Sequence, residues 1–263
     1  MRAILMEVRM VSWRRLAWGC KGGVICLVLA QAGLSWAQEA PQRLVHGLWW
    51  DAHEVTIGQV KALAKASGFV SQAEKGAGGQ VYEAGWTTKP GWTWRTPYGV
   101  PAQDDEPAVH LNFDEAQSLC RQQGKRLPTD AEWVSAAYTE QRTEPPAPWV
   151  RGTTYRYPTG HTPQGAQCLE DCGKDRSMPV GTRLWRGIGP ALAGQTVAGV
   201  NGLHDMGANA WEWVDEPVGQ SAQKRTRGGS WWYGEGPMRA DHLAMKDASF
   251  SVVYIGFRCA RSP

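Results

Sequence analysis

Apolar positions recur at helical spacing in three places, each behind a polar cap. Thr56, with Gln59 three residues on, forms a capping box that opens a run carrying Val60, Leu63 and Ala64 on one face and stopping at Gly68. Asn112 caps a second run, in which Asp114 and Glu115 suit the positive helix end while Phe113, Ala116, Leu119 and Cys120 share a face up to Gly124. The spacing therefore predicts that Cys120 points inward. Thr129-Asp130-Ala131-Glu132 is another capping box and opens a third helix through Trp133 to Tyr138. Beyond it the periodicity stops, because Pro145, Pro146, Pro148, Pro158 and Pro163 leave no room for a regular element. Short strands are predicted at Ala210 to Val214, Lys224 to Trp232 and Val252 to Arg258, each bounded by Gly or Pro. With no internal repeat and no composition break between residues 38 and 263, the pattern reads as one α+β domain, compact and rich in loops.

Composition sharpens this picture in two ways. The chain has 15 Trp against 4 Phe, with 31 Gly and 16 Pro, so tryptophan is its main large apolar residue and turns are frequent. Its net charge of +3 is carried by the N-terminus, where Arg2, Arg9, Arg14, Arg15 and Lys21 face only Glu7. The rest is close to neutral, which argues against a nucleic-acid partner. A basic start, an apolar stretch from Gly22 to Gly33 and the small-x-small site Ser35-Trp36-Ala37 read together as a signal peptide, residues 1–37, with the mature domain spanning 38–263. The uncharged run from Gly22 to Ala37 falls short of the roughly 20 residues of a membrane-spanning helix, so no membrane span is expected after cleavage. Trp13 displaces the pair Arg14-Arg15 from twin-arginine spacing. A periplasmic or secreted location follows.

Removing Cys20 and Cys26 with the leader leaves Cys120, Cys168, Cys172 and Cys259. An even number in an exported chain points to disulfides, and three pairings are open. The six histidines form no cluster with these cysteines, so zinc is not expected.

Six ordered motifs carry a family resemblance. They are His53-Glu54-Val55-Thr56, the KRLPTDAEW run from Lys125 to Trp133, Asn201 to Met206, Asn209 to Trp213, Arg227 to Trp231, and Gly256-Phe257-Arg258-Cys259. In this order and spacing the chain resembles the formylglycine-generating enzyme family, also called the sulfatase-modifying-factor domain, from about Leu48 to Arg261. The resemblance implies an α+β domain with a C-type-lectin-like core. It also implies a Cys120–Cys259 disulfide, which leaves Cys168 and Cys172 to close a local ring. In the family a turn of this pattern binds calcium, which maps onto the side chains of Asp205 and Glu212 and the carbonyls of Ala208 and Ala210; hard oxygen donors suit that ion.

The resemblance stops at the reactive centre. Family enzymes hold Cu(I) between two thiolates shortly after the Gly-Gly-Ser motif, and aligned on Gly228-Gly229-Ser230 those places hold Tyr233 and Met238. Neither replaces a soft thiolate pair, so copper and formylglycine generation are not expected. An iron cofactor is left open; the iron-binding helical bundle of sulfoxide-synthase relatives has no counterpart before Leu48. Trp211, Ser230, Trp231, Tyr233, Met238 and Arg239 are the candidate cleft, with at least one of three consecutive aromatics expected to face outward from a strand. Trp92-Thr93-Trp94-Arg95 is expected to border it. Two functional readings follow: an exported tailoring factor, similar to the family's pyoverdine-maturation members and acting on a peptide, siderophore-like or protein ligand, or a non-catalytic module that binds a peptide, glycan or protein.

Overall fold

Three side chains that cap helices in the sequence also cap them in space. The computed structural model describes residues 40–82, 84–169, 172, 189–216 and 222–263; the leader assigned to 1–37 lies outside them. After a hairpin of β1 (Gln42–Val45) and β2 (Leu48–Asp51), α1 (Ile57–Ser67) starts at a reciprocal box between Thr56 and Gln59 and stops at Gly68 in the left-handed region. The short α2 (Gln72–Lys75) has the same device in Ser71 and Glu74, a signal visible in the sequence but followed by too few residues to show periodicity. A second hairpin pairs β3 (Gly79–Tyr82) with β4 (Trp86–Lys89). The next helices, α3 (Phe113–Gln122) and α4 (Asp130–Tyr138), are capped by Asn112 with Glu115 and by Thr129 with Glu132.

The C-terminal half supplies the sheet that organises the site. Its order is β7 (Ala244–Asp247), β6 (Gln223–Arg227), β5 (Trp211–Trp213) and β8 (Ile255–Gly256), antiparallel except for the parallel β5–β8 pair. A final strand, β9 (Ala260–Arg261), returns to β2. The described residues lie in one compact unit, Trp36–Pro263.

Because side chains alternate along a strand, the register sorts this sheet into two chemically different faces. Trp211, Trp213, Lys224, Thr226, Ala244 and Lys246 share one, where Trp213 meets Phe113 of α3 and donates its indole hydrogen to the Leu111 carbonyl at 3.0 Å. Glu212, Arg225 and Arg227 take the other, where both arginines grip Asp130 at the start of α4.

The predicted strand from Lys224 to Trp232 ends early, at Arg227. Gly228 and Gly229 both adopt positive φ, 94° and 81°, and a Cβ on Gly228 would sit 2.8 Å from the Met206 carbonyl oxygen. The chain therefore turns away. Trp231, Trp232 and Tyr233 occupy a turn rather than a strand, which removes the alternation argument for an exposed ring. Trp231 and Trp232 are both fully buried. A cavity left by removing either would cost on the order of 3–5 kcal/mol, so they act first as core. Likewise only Ile255–Gly256 of the Val252 to Arg258 run is strand. No described helix is long and apolar enough to cross a membrane.

Candidate functional site

Burial of charge marks one centre of the molecule. Arg258 is completely buried and donates Nε and Nη2 to both oxygens of Glu212 at 2.6–2.9 Å. Its other nitrogen bonds reach the carbonyls of Asp51 and His204. Trp133 adds its indole N–H to Glu212 Oε2 at 2.7 Å. Asp205 accepts from the Gly194 amide at 2.5 Å and the Thr196 hydroxyl at 2.6 Å, and buried Glu54 accepts from the Ala210 amide and the Asn209 side chain. Burial works against the charge of Arg258, yet Glu212, Glu54 and Asp205 together hold its pKa above the ordinary value. Close by, the buried pair Lys125–Asp51 closes at 2.7 Å, and Asp51 also caps the Cys259 amide.

The calcium expectation falls on the same segment. Asp205, Ala208 and Asn209 do have the positive φ of a tight turn. However, every carboxylate oxygen of Asp205 and Glu212 accepts from a protein donor, and the guanidinium of Arg258 supplies the positive charge. The Ala208–Ala210 turn is held by Glu54 and Gln167.

Glu54 carries a pH signature. Burial, reinforced by the charges of Asp205 and Glu212, raises its pKa well above the usual glutamate range. The folded state therefore binds its proton more tightly than the unfolded chain. Its stabilising contribution is complete below the ordinary value of about 4.3 and is lost as pH rises through the elevated folded value. Melting temperatures measured from mildly acidic to alkaline pH should fall less steeply for Glu54→Gln than for the parent. Parallel profiles would acquit Glu54.

The second centre is the face around Trp211, one register step away. Trp211 is 2% exposed, with the His242 ring centroid 5.7 Å away, Tyr233 at 6.0 Å and Lys246 Nζ over its ring at 5.5 Å. A chain of ring contacts continues from Tyr233 through Tyr254, Trp232, Trp231 and Tyr98 to Trp92. The Tyr233 and Tyr254 hydroxyls stand 3.5 Å apart.

Of the six predicted cleft residues the structure leaves few at the surface. Ser230 is fully buried and its hydroxyl accepts from the Trp232 amide, while Trp231 is sealed in the core. Met238 is also sealed, with its sulfur 3.6 Å from Cys172 Sγ and its carbonyl held by the Tyr138 hydroxyl. Tyr233 is half-buried, and exposed Arg239 is paired with Asp241 at 2.7 Å. The predicted aromatic cleft is therefore largely core, with Tyr233 its outward remnant. The Trp92 to Arg95 segment is also re-placed: Trp94 is fully buried, with its indole and the Arg95 guanidinium both bonded to Glu74.

Sequence reasoning missed His242, Lys246 and Tyr254, whose positions beside Trp211 depend on strand register and on a parallel neighbour distant in sequence. A Lys246–Ala244 alternation was the one available signal. The cysteine expectations hold: Cys120 is bonded to Cys259 and Cys168 to Cys172. All four cysteines among the described residues are thus engaged, and the places aligned with the copper thiolates hold a phenol and a buried thioether. That set does not fit Cu(I).

A sulfatase-modifying factor enzyme 1-like domain matches residues 24–263. The formylglycine-generating enzyme of Thermomonospora curvata is 26% identical over 81% of this chain and 81% of its own length. The hercynine oxygenase of Mycolicibacterium smegmatis is 30% identical over 43% of this chain but only 22% of its own. Among solved structures, PvdO from Pseudomonas aeruginosa superposes with a TM-score of 0.53 at 18% identity, covering 82% of this chain and 80% of PvdO.

Proposed function

The chain belongs to the sulfatase-modifying factor enzyme 1-like family, and we propose that it is an exported member that does not generate formylglycine and serves instead in the oxidative maturation of another exported molecule. One observation carries the reading. The four described cysteines are committed to disulfides, while Tyr233 and Met238 stand where the family's copper thiolates belong. Copper-dependent oxidation of a substrate cysteine has no ligand pair to start from.

Further support comes from three directions. The two disulfides suit an oxidising compartment, as does the sequence of the N-terminal segment. A hercynine oxygenase among the relatives indicates that oxidative chemistry in this family extends to substrates other than a sulfatase cysteine. The half-buried Tyr233, His242 and Lys246 around Trp211 give a ligand something to bind at the place where formylglycine chemistry would occur. In this reading the chain's own residues hold and orient the ligand.

The sealing of Ser230 and Met238 favours a second reading, in which the same face binds a ligand without turnover. A copper-supplemented reaction with a sulfatase-type cysteine peptide separates both readings from the family's usual activity. No aldehyde should form. Aldehyde above the copper-only background would overturn the proposal.

A further inference from the structure

Strand register places two lysines directly opposite each other. Lys224 of β6 and Lys246 of β7 are cross-strand partners on the same sheet face as Trp211. Like charges so placed repel, and such pairs normally recruit an acid. Neither ammonium group has a hydrogen bond or ion pair among the described residues; each instead lies over an aromatic ring, Lys224 Nζ at 4.7 Å from Phe113 and Lys246 Nζ at 5.5 Å from Trp211. The nearby acids are engaged elsewhere: Asp241 with Arg239, Glu216 with Arg225, and Asp247 with its own Ser249.

The surroundings of Lys246 supply donors without acceptors. Lys246 is half-buried, and burial lowers its pKa, so its charge is held there at a cost. The indole N–H of Trp211, under the lysine, has no acceptor among the described residues. A buried donor without a partner is an unmet requirement that a ligand oxygen or a bound water can fill. The His242 ring stands beside Trp211 without a hydrogen bond of its own among the described residues, and Tyr233 closes the edge. Positive charge, unspent donors and flat apolar rings occur together here.

We infer that the face built by Trp211, Lys224, His242 and Lys246 binds a small organic anion, a carboxylate carried on an aromatic body. The carboxylate lies between the two ammonium groups and relieves their repulsion. The ring of the ligand packs against Tyr233 and His242, where its apolar surface leaves water. This rests on the reading that the face is used in place of formylglycine chemistry, and it names the class of ligand the face accepts. A charge-assisted contact in a half-buried setting is stronger than one at an open surface, so Lys246 is the dominant determinant and the more peripheral Lys224 the lesser.

The test uses the full mature chain, with tryptophan fluorescence followed during titration with benzoate, its neutral analogue benzamide and inorganic phosphate. Benzoate should bind at least about ten-fold more tightly than benzamide or phosphate. Lys246→Met should lower benzoate affinity by about ten-fold or more with an unchanged melting temperature, Lys246→Arg should restore most of it, and Lys224→Met should cost less. Equal binding of benzoate and benzamide, phosphate binding as tightly as benzoate, no benzoate binding in the millimolar range, or an unaffected Lys246→Met variant would each overturn the inference. Such a result without aldehyde from the cysteine peptide leaves the broader reading standing. Aldehyde formation fails that reading instead, so the two outcomes are separable.

Discussion

Arg258→Met is expected to lower stability by about 3–5 kcal/mol, the range found when one partner of a buried ion pair is removed. For a domain of this size that corresponds to a melting temperature lower by roughly 6–20 °C. The cause is what stays behind. Glu212 loses a two-pronged partner, and Glu54, Asp205 and Glu212 are left buried together without the guanidinium that faces all three. Glu212→Gln should be milder, because Arg258 keeps the nearby carboxylates of Glu54 and Asp205 and the Gln carbonyl oxygen can keep the Trp133 contact. A double variant, Arg258→Met with Glu212→Gln, should recover part of the loss, since neither charge then remains unpaired. Thermal unfolding of the four proteins closes the cycle; strict additivity would show that the pair is not coupled. Chelator provides the complementary arm. It should leave the parent's melting temperature unchanged, because Arg258 already neutralises Glu212, and a drop on chelation would support calcium at this segment.

Removing the Cys120–Cys259 disulfide should have an effect of similar size. It spans 139 residues, and on the chain-entropy account a loop of that length restricts the unfolded chain by close to 5 kcal/mol; the usual measured cost is about 2–5 kcal/mol. Cys120 sits on the buried face of α3 and Cys259 between β8 and β9, so the bond staples α3 to the last strands. Both sulfurs lie in the core, and the paired Cys120→Ala, Cys259→Ala variant also loses their packing. Breaking Cys168–Cys172 should cost much less, because its separation of four residues leaves little chain entropy to restrict. Denaturant unfolding of the two double variants compares them directly. Equal losses would mean that the long staple acts through local packing alone.

The two centres divide the labour of the fold. On one face of the sheet Glu212 and Arg227 are spent on structure: Arg227 clamps Asp130 and also the carbonyls of Ala240 and His242, which fixes the segment that presents His242. On the other face Lys224 and Lys246 are left unspent. The buried ion network therefore holds in place the surface proposed to bind a ligand. A variant at Arg227 would disturb both at once, which is why Lys246 is the cleaner probe.

Local chemistry was legible in the sequence wherever it was decided locally. Thr56, Asn112 and Thr129 satisfy amides three residues away, so the three longer helices could be read from a few neighbouring positions. The motif order identified the family, and with it the disulfide between Cys120 and Cys259. The exchange of the copper thiolates for Tyr233 and Met238 was equally a matter of residue type. What tertiary structure alone decided was the partner of each buried charge and the exposure of each ring. Positive φ at Gly228 and Gly229 turned the aromatic run into the core, and a parallel neighbour put Tyr254 beside it. Arg258, 46 residues beyond Glu212, became that carboxylate's partner. A capping bond closes within one turn of chain, whereas a buried carboxylate takes whichever donor the completed packing brings nearest, and that donor can come from anywhere in the sequence.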